Sequence, residues 1–464
     1  MIIQSKARFQ PVLEDALRAL LGNRFSTAPA VREHHGKCEG HHTTQPPDAV
    51  CFANSTEEVS EIVKLCAENN VPIIPYGTGT SLEGHVQAVR GGVSIALTPM
   101  NKILTVNIED SDCRVQAGVT RKQLNTHLRD TGLFFPIDPG ADASIGGMSA
   151  TRASGTNAVR YGTMRENVLG LTVVLPDGRI IKTGGRAKKS AAGYDLTRLY
   201  IGSEGTLGVI TEVQLRLFGI PQNTSVAVCQ YPNLEAALNT VICTIQNCIP
   251  VARIELLDEI QMDACIKYSK LKGFSASPTL FFEFHGTEKS VVEQAEMVGT
   301  ISGELEGKAF KWASKAEERN QLWQARHDAY YASLALQPGK KALTTDACVP
   351  ISRLADCIVE TRADIKKYKL TVPIVSHAGD GNFHLIILYD PNDAGEIARA
   401  HAINARLIRR TLAMGGTCSG EHGVGLGKMP YLLDEHGESL TIMRTLKHAL
   451  DPNNIMNPGK MFDS

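Results

Sequence analysis

Two histidines, His377 and His384, stand on either side of a turn-forming Gly-Asp-Gly segment at 379–381. Apolar runs at 372–375 and 385–388 flank this segment and predict two strands joined by the turn. Such a turn can bring the two imidazoles together as metal ligands, although their spacing differs from that of the helical H-E-x-x-H motif. The same spacing also fits histidines that pack in a core or lie on the surface, so the pair alone leaves both interpretations open.

A carboxylate and a third imidazole follow further along the chain, where Glu421 and His422 stand between Gly420 and Gly423. Two histidines and one glutamate are a suitable ligand set for a divalent metal such as zinc or manganese, and they leave coordination positions open for a substrate. The residues therefore predict a metal site formed by His377, His384 and Glu421.

Three glycine-rich segments suggest a second ligand. The first, at 75–84, directly follows a predicted strand at 71–75, and its glycines let backbone N–H groups turn toward an anion. It is not a Rossmann fingerprint, because Leu82 stands where the third glycine would be, and no Gly-Lys-Ser/Thr ends it as in a P-loop. The other segments span 138–162 and 202–211, and the three together fit a long cofactor held mainly by backbone.

These segments and the C-terminal stretch 451–460 resemble the FAD-binding domain of the vanillyl-alcohol oxidase / p-cresol methylhydroxylase (PCMH) superfamily, in order and spacing, over nearly the whole chain. The resemblance implies bound FAD, with the pyrophosphate on the loop at 77–81 and the flavin along the two later segments. The cofactor-binding residues that it implies are Pro75, Gly77, Thr78, Gly79, Thr80, Ser81, Gly84, Pro139, Gly140, Gly146, Gly147, Ala150, Ser154, Gly155, Gly205, Gly208, Ile210 and Asn457.

The two histidine segments are similar to those of the D-lactate, glycolate and D-2-hydroxyglutarate dehydrogenase branch of this superfamily. That similarity implies that His377, His384 and Glu421 are metal ligands and that His422 is the general base for the substrate hydroxyl, while the hydride passes to the flavin. Asn382 is expected to orient the site, unless it is only a turn residue.

Arg326 matches the substrate-binding arginine of that branch, and its guanidinium can hold a carboxylate in bidentate fashion. The alternative is an arginine on a helix surface. The segment at 345–352 resembles that of the D-lactate enzymes, and Thr344 stands near the position of a lysine typical of the D-2-hydroxyglutarate enzymes. D-lactate is therefore the expected D-2-hydroxy acid, with glycolate and D-2-hydroxyglutarate as alternatives.

The elements that must position these residues alternate between short apolar runs and amphipathic helices from residue 48 to about 220. We expect an α+β fold, with a two-part PCMH-type FAD-binding domain, a mixed α/β cap domain for the substrate and a C-terminal helical segment. The expected boundaries are 1–220, including a helical lead-in, then 221–418, and then 419–464, which packs back on the FAD-binding domain.

Composition limits the partners. The 464 residues carry a formal net charge of -1 with no long basic run, which argues against nucleic-acid binding. No apolar run reaches the ~18 residues of a membrane span. Eleven scattered cysteines and the lack of a signal-peptide core predict a cytoplasmic protein with reduced thiols, or one peripheral at the inner membrane.

The expected electron acceptor is cytochrome c, a quinone or an electron-transferring flavoprotein, and a homodimer is one option for the oligomeric state. Two functions of other classes compete with this hypothesis. A metal-dependent hydrolase would use the histidines but would leave the glycine-rich segments without a role. A non-catalytic flavin-binding subunit would leave His422 and Arg326 without a role.

Overall fold

The structure is a computed structural model that describes residues 9–313 and 316–462. The chain forms two compact units. The first unit comprises the described residues of Met1–Ser154, Gly162–Ile220 and Glu421–Ser464, and the second comprises Gly155–Tyr161 and Pro221–Gly420.

Helices occur in both units. In chain order they are α1 (Pro11–Leu21), α2 (Pro29–His35), α3 (Thr56–Glu68), α4 (Arg121–Leu128), α5 (Ile145–Thr151), α6 (Ala158–Tyr161), α7 (Met164–Asn167), α8 (Leu196–Tyr200), α9 (Leu234–Gln246), α10 (Glu259–Ser269), α11 (Glu288–Glu304), α12 (Ala316–His327), α13 (Ala329–Leu336), α14 (Leu354–Ile365), α15 (Ala394–Ala413), α16 (Leu432–His436) and α17 (Ser439–Leu450).

The strands follow the same chain order. They are β1 (Phe25–Ser26), β2 (Ala49–Phe52), β3 (Ile73–Tyr76), β4 (Val93–Ala96), β5 (Ile103–Asn107), β6 (Asp112–Gln116), β7 (Leu133–Phe134), β8 (Val168–Val174), β9 (Ile180–Lys182), β10 (Val209–Arg216), β11 (Phe218–Gly219), β12 (Asn223–Gln230), β13 (Arg253–Leu257), β14 (Thr279–Gly286), β15 (Lys308–Ala313), β16 (Lys341–Thr344), β17 (Ala347–Cys348), β18 (Ile374–His377) and β19 (Asn382–Tyr389).

The first unit contains a four-stranded sheet of order β1-β2-β4-β3 and a five-stranded antiparallel sheet of order β5-β6-β10-β8-β9. Strands β2, β4 and β3 run parallel and are almost continuously buried, as expected for strands covered on both faces. Helix α3 packs against β8 and β10, and the Ser55 side chain caps it by accepting from the Glu58 N–H, which contributes about 1 kcal/mol.

The second unit is built on one eight-stranded antiparallel sheet of order β15-β12-β14-β13-β18-β19-β16, with β17 also paired to β19. One face is mainly apolar, with residues such as Ile254, Phe282 and Phe383 packed beneath α9, α11, α14 and α15. The other face, under α10, α12 and α13, mixes apolar side chains such as Phe281 with charged ones. This second face holds the candidate site.

All eleven cysteines are free thiols, and most are buried. Burial raises the pKa of the Cys66 and Cys113 thiols to about 12, which makes them unreactive at neutral pH. Among the helices of the described residues, none has both the length and the apolar composition needed to cross a membrane.

Candidate functional site

Seven charged and polar residues of the second unit's sheet share one face, because residues two apart in a strand and residues directly paired across strands point to the same side. The register places these side chains in a row that runs across four neighbouring strands. They are Arg253 and Glu255 of β13, Glu283 and His285 of β14, His377 of β18, and Asn382 and His384 of β19.

The turn between β18 and β19 brings His377 and His384 together. The predicted strands at 372–375 and 385–388 are present, but β18 ends at His377 and β19 begins at Asn382, so both histidines lie in strands. Gly381 has φ +76°, and a Cβ there would lie 2.1 Å from the Val349 carbonyl oxygen, so only glycine fits. The two imidazole rings are edge-on, with centroids 5.5 Å apart.

Each of these imidazoles is held through its Nδ1 atom. His377 Nδ1 lies 2.8 and 3.0 Å from the two carboxylate oxygens of Glu255, and His384 Nδ1 lies 2.9 Å from the carbonyl oxygen of Thr345. Since a carbonyl oxygen and an ionised carboxylate only accept hydrogen bonds, Nδ1 carries the proton in both rings. The Nε2 atoms are then the potential metal ligands.

Glu421 follows Gly420, the last residue of the second unit, so the peptide bond fixes its backbone beside that unit. Gly420 packs on the start of β19, where an added Cβ would lie 2.1 Å from Asn382 Nδ2. The ligand atoms of His377, His384 and Glu421 lie within 4.8 Å of one another, and this is the group of potential metal ligands found among the described residues. The structure therefore brings the three predicted ligands together.

Asn382 is the first residue of β19 and links several segments around the histidines. Its side-chain amide donates to Asp346 Oδ1 at 2.7 Å and to the Ala347 carbonyl at 3.0 Å. The Ser419 hydroxyl donates to the other oxygen of Asp346 at 2.9 Å. Asp346 is fully buried, so this network fixes Ser419, two residues before Glu421.

Arg326 lies near the end of α12 and is 9% exposed, so the alternative of an arginine on a helix surface is wrong. Its Nε and Nη2 atoms lie 2.8 and 2.5 Å from the carboxylate of Glu255. Burial alone would raise the pKa of Glu255, but His377 and Arg326 together outweigh burial and hold that pKa below its ordinary value. A protein carboxylate therefore occupies the Nε–Nη2 edge of Arg326.

A second group of similar composition lies further along the same face. His285 Nε2 donates to Glu283 at 2.7 Å, and the Tyr161 hydroxyl lies 2.8 Å from His285 Nδ1. Arg253 is 3.4 Å from Glu283, donates to Asn157 at 2.9 Å and stacks over the Trp323 ring. Burial raises the pKa of Glu283, whereas His285 and Arg253 lower it. The net shift of this pKa is downward.

His422 belongs to the first unit, where it lies against a buried carboxylate. Its Nδ1 is 3.7 Å from Glu83 Oε1, and the same oxygen is 3.6 Å from Lys428 Nζ. Glu83 and Lys428 are 5% and 2% exposed. The Nδ1 side of His422 thus faces a negative charge that Lys428 balances, which leaves Nε2 as the atom on the opposite side of the ring.

The glycine-rich segments meet within the first unit. A Cβ on Gly77 would lie 2.4 Å from Ser144 Oγ, and one on Gly205 would lie 2.8 Å from Pro75, so the three loops are in contact. Buried hydroxyls at Ser81, Ser144 and Ser203 have no hydrogen-bond partner among the described residues. Buried polar groups are normally paired, so these hydroxyls fit a polar ligand such as FAD.

The predicted cofactor residues fall at the ends of elements or in loops, and all but one of them belong to the first unit. Gly155 is the exception, since it begins the segment of the second unit at 155–161. The residues of the first unit are Pro75 in β3, Gly77, Thr78, Gly79, Thr80, Ser81 and Gly84 after it, Pro139, Gly140, Gly146, Gly147 and Ala150 in and before α5, Ser154, Gly205, Gly208, Ile210 in β10, and Asn457.

Asn457 holds two of these loops together. Its side-chain amide donates to the backbone carbonyls of His85 and Glu204, at 3.1 and 2.8 Å. The Lys460 ammonium group donates to Asn457 Oδ1 at 3.2 Å and to the Gln87 carbonyl at 2.6 Å. Burial lowers the pKa of Lys460 to about 7.

Three buried carboxylates with clear structural roles were not predicted from the sequence. Glu255 and Asp346 support the histidines and Asn382, and Glu204 accepts from the backbone N–H groups of Val424 and Gly425 at 2.6 and 2.8 Å. The available signal for Glu255 was a charged residue between the apolar residues Ile254 and Leu256 of β13, which usually indicates a buried ion pair. Asp346 and Glu204 carried no such signal.

Comparison with known proteins places the whole chain among flavoproteins. Residues 220–461 match the family model "FAD linked oxidases, C-terminal domain", and residues 47–184 match the model "FAD binding domain". The chain is 52% identical over 453 residues to the probable mitochondrial D-lactate dehydrogenase of Danio rerio, covering 97% of this chain and 91% of that protein. It is 48% identical over 449 residues to the mitochondrial D-lactate dehydrogenase [cytochrome] of Arabidopsis thaliana, covering 96% and 79%.

The fold is similar to that of solved p-cresol methylhydroxylase with bound substrate, with a TM-score of 0.80, 18% identity and coverage of 98% of each chain. This similarity confirms the predicted fold class. The prediction of a cytoplasmic protein is wrong, because both relatives are mitochondrial by name. Free cysteines do not distinguish one reducing compartment from another.

Proposed function

The chain belongs to the family of FAD-linked oxidases, and from this we propose that it oxidises D-lactate to the corresponding 2-oxo acid. The observation that carries the proposal is the pair of Nδ1-bonded histidines, His377 and His384, whose ligand atoms lie within 4.8 Å of Glu421. The names of the two relatives support D-lactate as the substrate.

The contacting glycine loops and the unpartnered hydroxyls of Ser81, Ser144 and Ser203 would hold the FAD. Bound there, FAD supplies the two-electron redox chemistry by accepting a hydride from the substrate carbon. Asn457 would keep the loops of His85 and Glu204 in place, since both donors of its amide are used on their carbonyls.

His377, His384 and Glu421 would hold a divalent metal, for which two imidazoles and one carboxylate are a fitting donor set. An ion at these residues would bind the hydroxyl and carboxylate oxygens of a 2-hydroxy acid and would lower the pKa of the hydroxyl group. Asn382 and Asp346 would fix the backbone that leads to Glu421, through the bond from Ser419.

His422 would act as the general base. Its Nδ1 side faces Glu83, so Nε2 is the atom that accepts the hydroxyl proton, and the nearby carboxylate stabilises the imidazolium that forms. Arg326 would bind the substrate carboxylate through Nη1, because Nε and Nη2 bond to Glu255.

The environments of the two lysines close to Thr344 also support a monocarboxylate as the substrate. Lys340 is a half-buried candidate for binding a second carboxylate, but its ammonium group bonds to both oxygens of Glu396, at 3.0 and 2.9 Å. Lys341 is exposed at the start of β16. This pairing disfavours D-2-hydroxyglutarate, whose second carboxylate would need an available positive charge.

A cytochrome is the proposed electron acceptor, and a mitochondrion is the proposed location, because the Arabidopsis relative carries both terms in its name. Reduction of cytochrome c by D-lactate, measured with the purified FAD-loaded protein, tests the acceptor. Dependence on added quinone or on an electron-transferring flavoprotein would contradict it.

The substrate is tested by anaerobic bleaching of the flavin absorbance near 450 nm with D-lactate, L-lactate, glycolate and D-2-hydroxyglutarate. We expect rapid bleaching by D-lactate, loss of bleaching after treatment with EDTA, and recovery with zinc or manganese. Faster bleaching by glycolate or D-2-hydroxyglutarate would contradict the proposed substrate. Full bleaching of a metal-free protein would contradict the proposed metal.

A further inference from the structure

Glu255 is a fully buried carboxylate at the centre of β13, directly paired with His377 of β18. The pairing places both side chains on the polar face of the sheet, and both oxygens of Glu255 lie within 3.0 Å of His377 Nδ1. Nothing in the general chemistry of hydroxy-acid oxidation requires a carboxylate at this place, so its position needs a separate explanation.

The opposite side of Glu255 is occupied by Arg326, whose Nε and Nη2 bond to Oε2. A buried carboxylate without a cationic partner would be strongly unfavourable, and Arg326 removes that cost. Because Arg326 bonds to Oε2, Glu255 is ion-paired, and an ionised carboxylate only accepts hydrogen bonds. Arg326, Glu255 and His377 therefore form one connected buried unit.

His384 offers an internal contrast. Its Nδ1 donates to the backbone carbonyl of Thr345, a neutral acceptor, whereas His377 donates to a charged one. A hydrogen bond to a carboxylate is stronger and makes the other ring nitrogen a better electron donor. The two histidines are thus held with the same tautomer but by acceptors of different strength.

We propose that Glu255 is a positioning residue for His377, which fixes its Nδ1–H tautomer and ring orientation and so strengthens the binding of a divalent metal through Nε2. This inference rests on the proposed function, because it assumes the metal site of His377, His384 and Glu421. Through its bonds to Glu255, Arg326 also affects metal binding, and this effect is separate from any contact of Arg326 with the substrate.

The test measures metal affinity, not activity. The full-length, FAD-loaded protein is stripped of metal, and the dissociation constants for Zn²⁺ and Mn²⁺ are measured by competition with a chelator. We expect E255Q to bind both ions about 10–100-fold more weakly than the wild type, the usual cost of removing such a partner. E255D, which keeps the charge on a shorter side chain, should recover part of that loss.

E283Q is the matched control, because Glu283 is also buried on this face and also bonds an arginine and a histidine. Its metal affinity should equal that of the wild type, even if its melting temperature falls as much as that of E255Q. Circular dichroism and FAD content establish that each variant is folded.

Unchanged affinity in E255Q, or equal weakening in E255Q and E283Q, would overturn the inference and leave the proposed metal site standing. A wild-type protein that binds neither ion would overturn the metal site together with the inference. Equal weakening in E255Q and E255D would also contradict it, because a charge-based role predicts partial recovery.

Discussion

Two Arg–Glu–His clusters lie on the same face of the second unit's sheet, and they differ in how the histidine is used. In the first cluster (Arg326, Glu255, His377), the imidazole meets its carboxylate through Nδ1, and its ring lies edge-on to that of His384. In the second cluster (Arg253, Glu283, His285), the imidazole meets its carboxylate through Nε2, and its Nδ1 accepts from Tyr161.

The comparison shows that a buried carboxylate with an arginine and a histidine is not by itself a functional signature. In the second cluster both ring nitrogens of the histidine bond to protein groups, so the cluster joins strands and the 155–161 segment. In the first cluster the histidine is one of three residues whose ligand atoms lie within 4.8 Å of one another. The two clusters thus differ in which ring nitrogen meets the carboxylate and in the residues around the histidine, and this difference separates a proposed metal ligand from a structural residue.

Substitution of the two histidines should give the largest difference in activity between the two clusters. H377N should lower kcat/KM for D-lactate by more than about 100-fold, because losing even a residue behind a metal ligand costs about 10–100-fold. H285N should keep kcat/KM close to the wild-type value and lose about 1–3 kcal/mol of unfolding free energy, since it leaves buried partners unsatisfied. Steady-state kinetics and denaturant unfolding check both, and a large kinetic loss in H285N would break the comparison.

Substitution of the two arginines should give a smaller contrast. R326K should raise KM for D-lactate by about 10-fold or more, because lysine lacks the planar set of donors with which arginine can bond Glu255 along one edge and a substrate carboxylate elsewhere. R253K should leave KM unchanged and cost about 1 kcal/mol of stability, through the lost contact with the Trp323 ring. Equal KM values in the two variants would show that Arg326 is structural only.

Acidification should lower the free energy of unfolding through the second cluster, without a direct effect on catalysis. The pKa of Glu283 lies below its ordinary value of 4.5, so its contribution to stability is present above that pH and is lost as pH falls through the folded-state pKa. The unfolding free energy of the wild type should therefore fall more steeply below about pH 4.5 than that of E283Q, by about 1.4 kcal/mol per unit of pKa depression. E235Q, at an exposed glutamate, is the control and should follow the wild type.

The smallest effect is expected for Y161F, which removes the hydroxyl that donates to His285. The free energy of unfolding should fall by about 0.5–1.5 kcal/mol, the usual worth of one hydrogen bond. The kcat value should not change, because the second cluster has no proposed contact with substrate. A clear fall in kcat at unchanged stability would assign the cluster a role in the reaction.

Local patterns in the sequence predicted the parts of the fold and site that depend on neighbours along the chain. The strands on either side of the turn at 379–381, and the meeting of His377 and His384, follow from residues within ten positions of one another. The strand ends were less well predicted, because a strand that ends in polar functional residues looks like a loop. The glycine segments predicted loops for the same local reason, and the structure brings these loops into contact.

Contacts between distant parts of the chain could not be predicted in this way. Glu255 and His377 are brought together by strand pairing, and nothing near either residue specifies the register of β13 against β18. The sequence around Arg326 indicates a helix and a cation, but Glu255 as its partner follows only from tertiary structure. The subcellular location also could not be predicted, because the amino-acid composition of the chain does not carry the signal that specifies it.

The closing segment of the chain sets the order in which the two units can be completed during synthesis. Asn457 and Lys460 supply the bonds to the carbonyls of His85, Gln87 and Glu204, so the first unit lacks these ties until the ribosome has translated them. All residues of the second unit, 155–161 and 221–420, emerge earlier. The first unit can therefore make these bonds only after the second unit has been synthesised, in contrast to the usual N-terminal-first order, and full assembly of the proposed FAD site must await translation of residues 457–460.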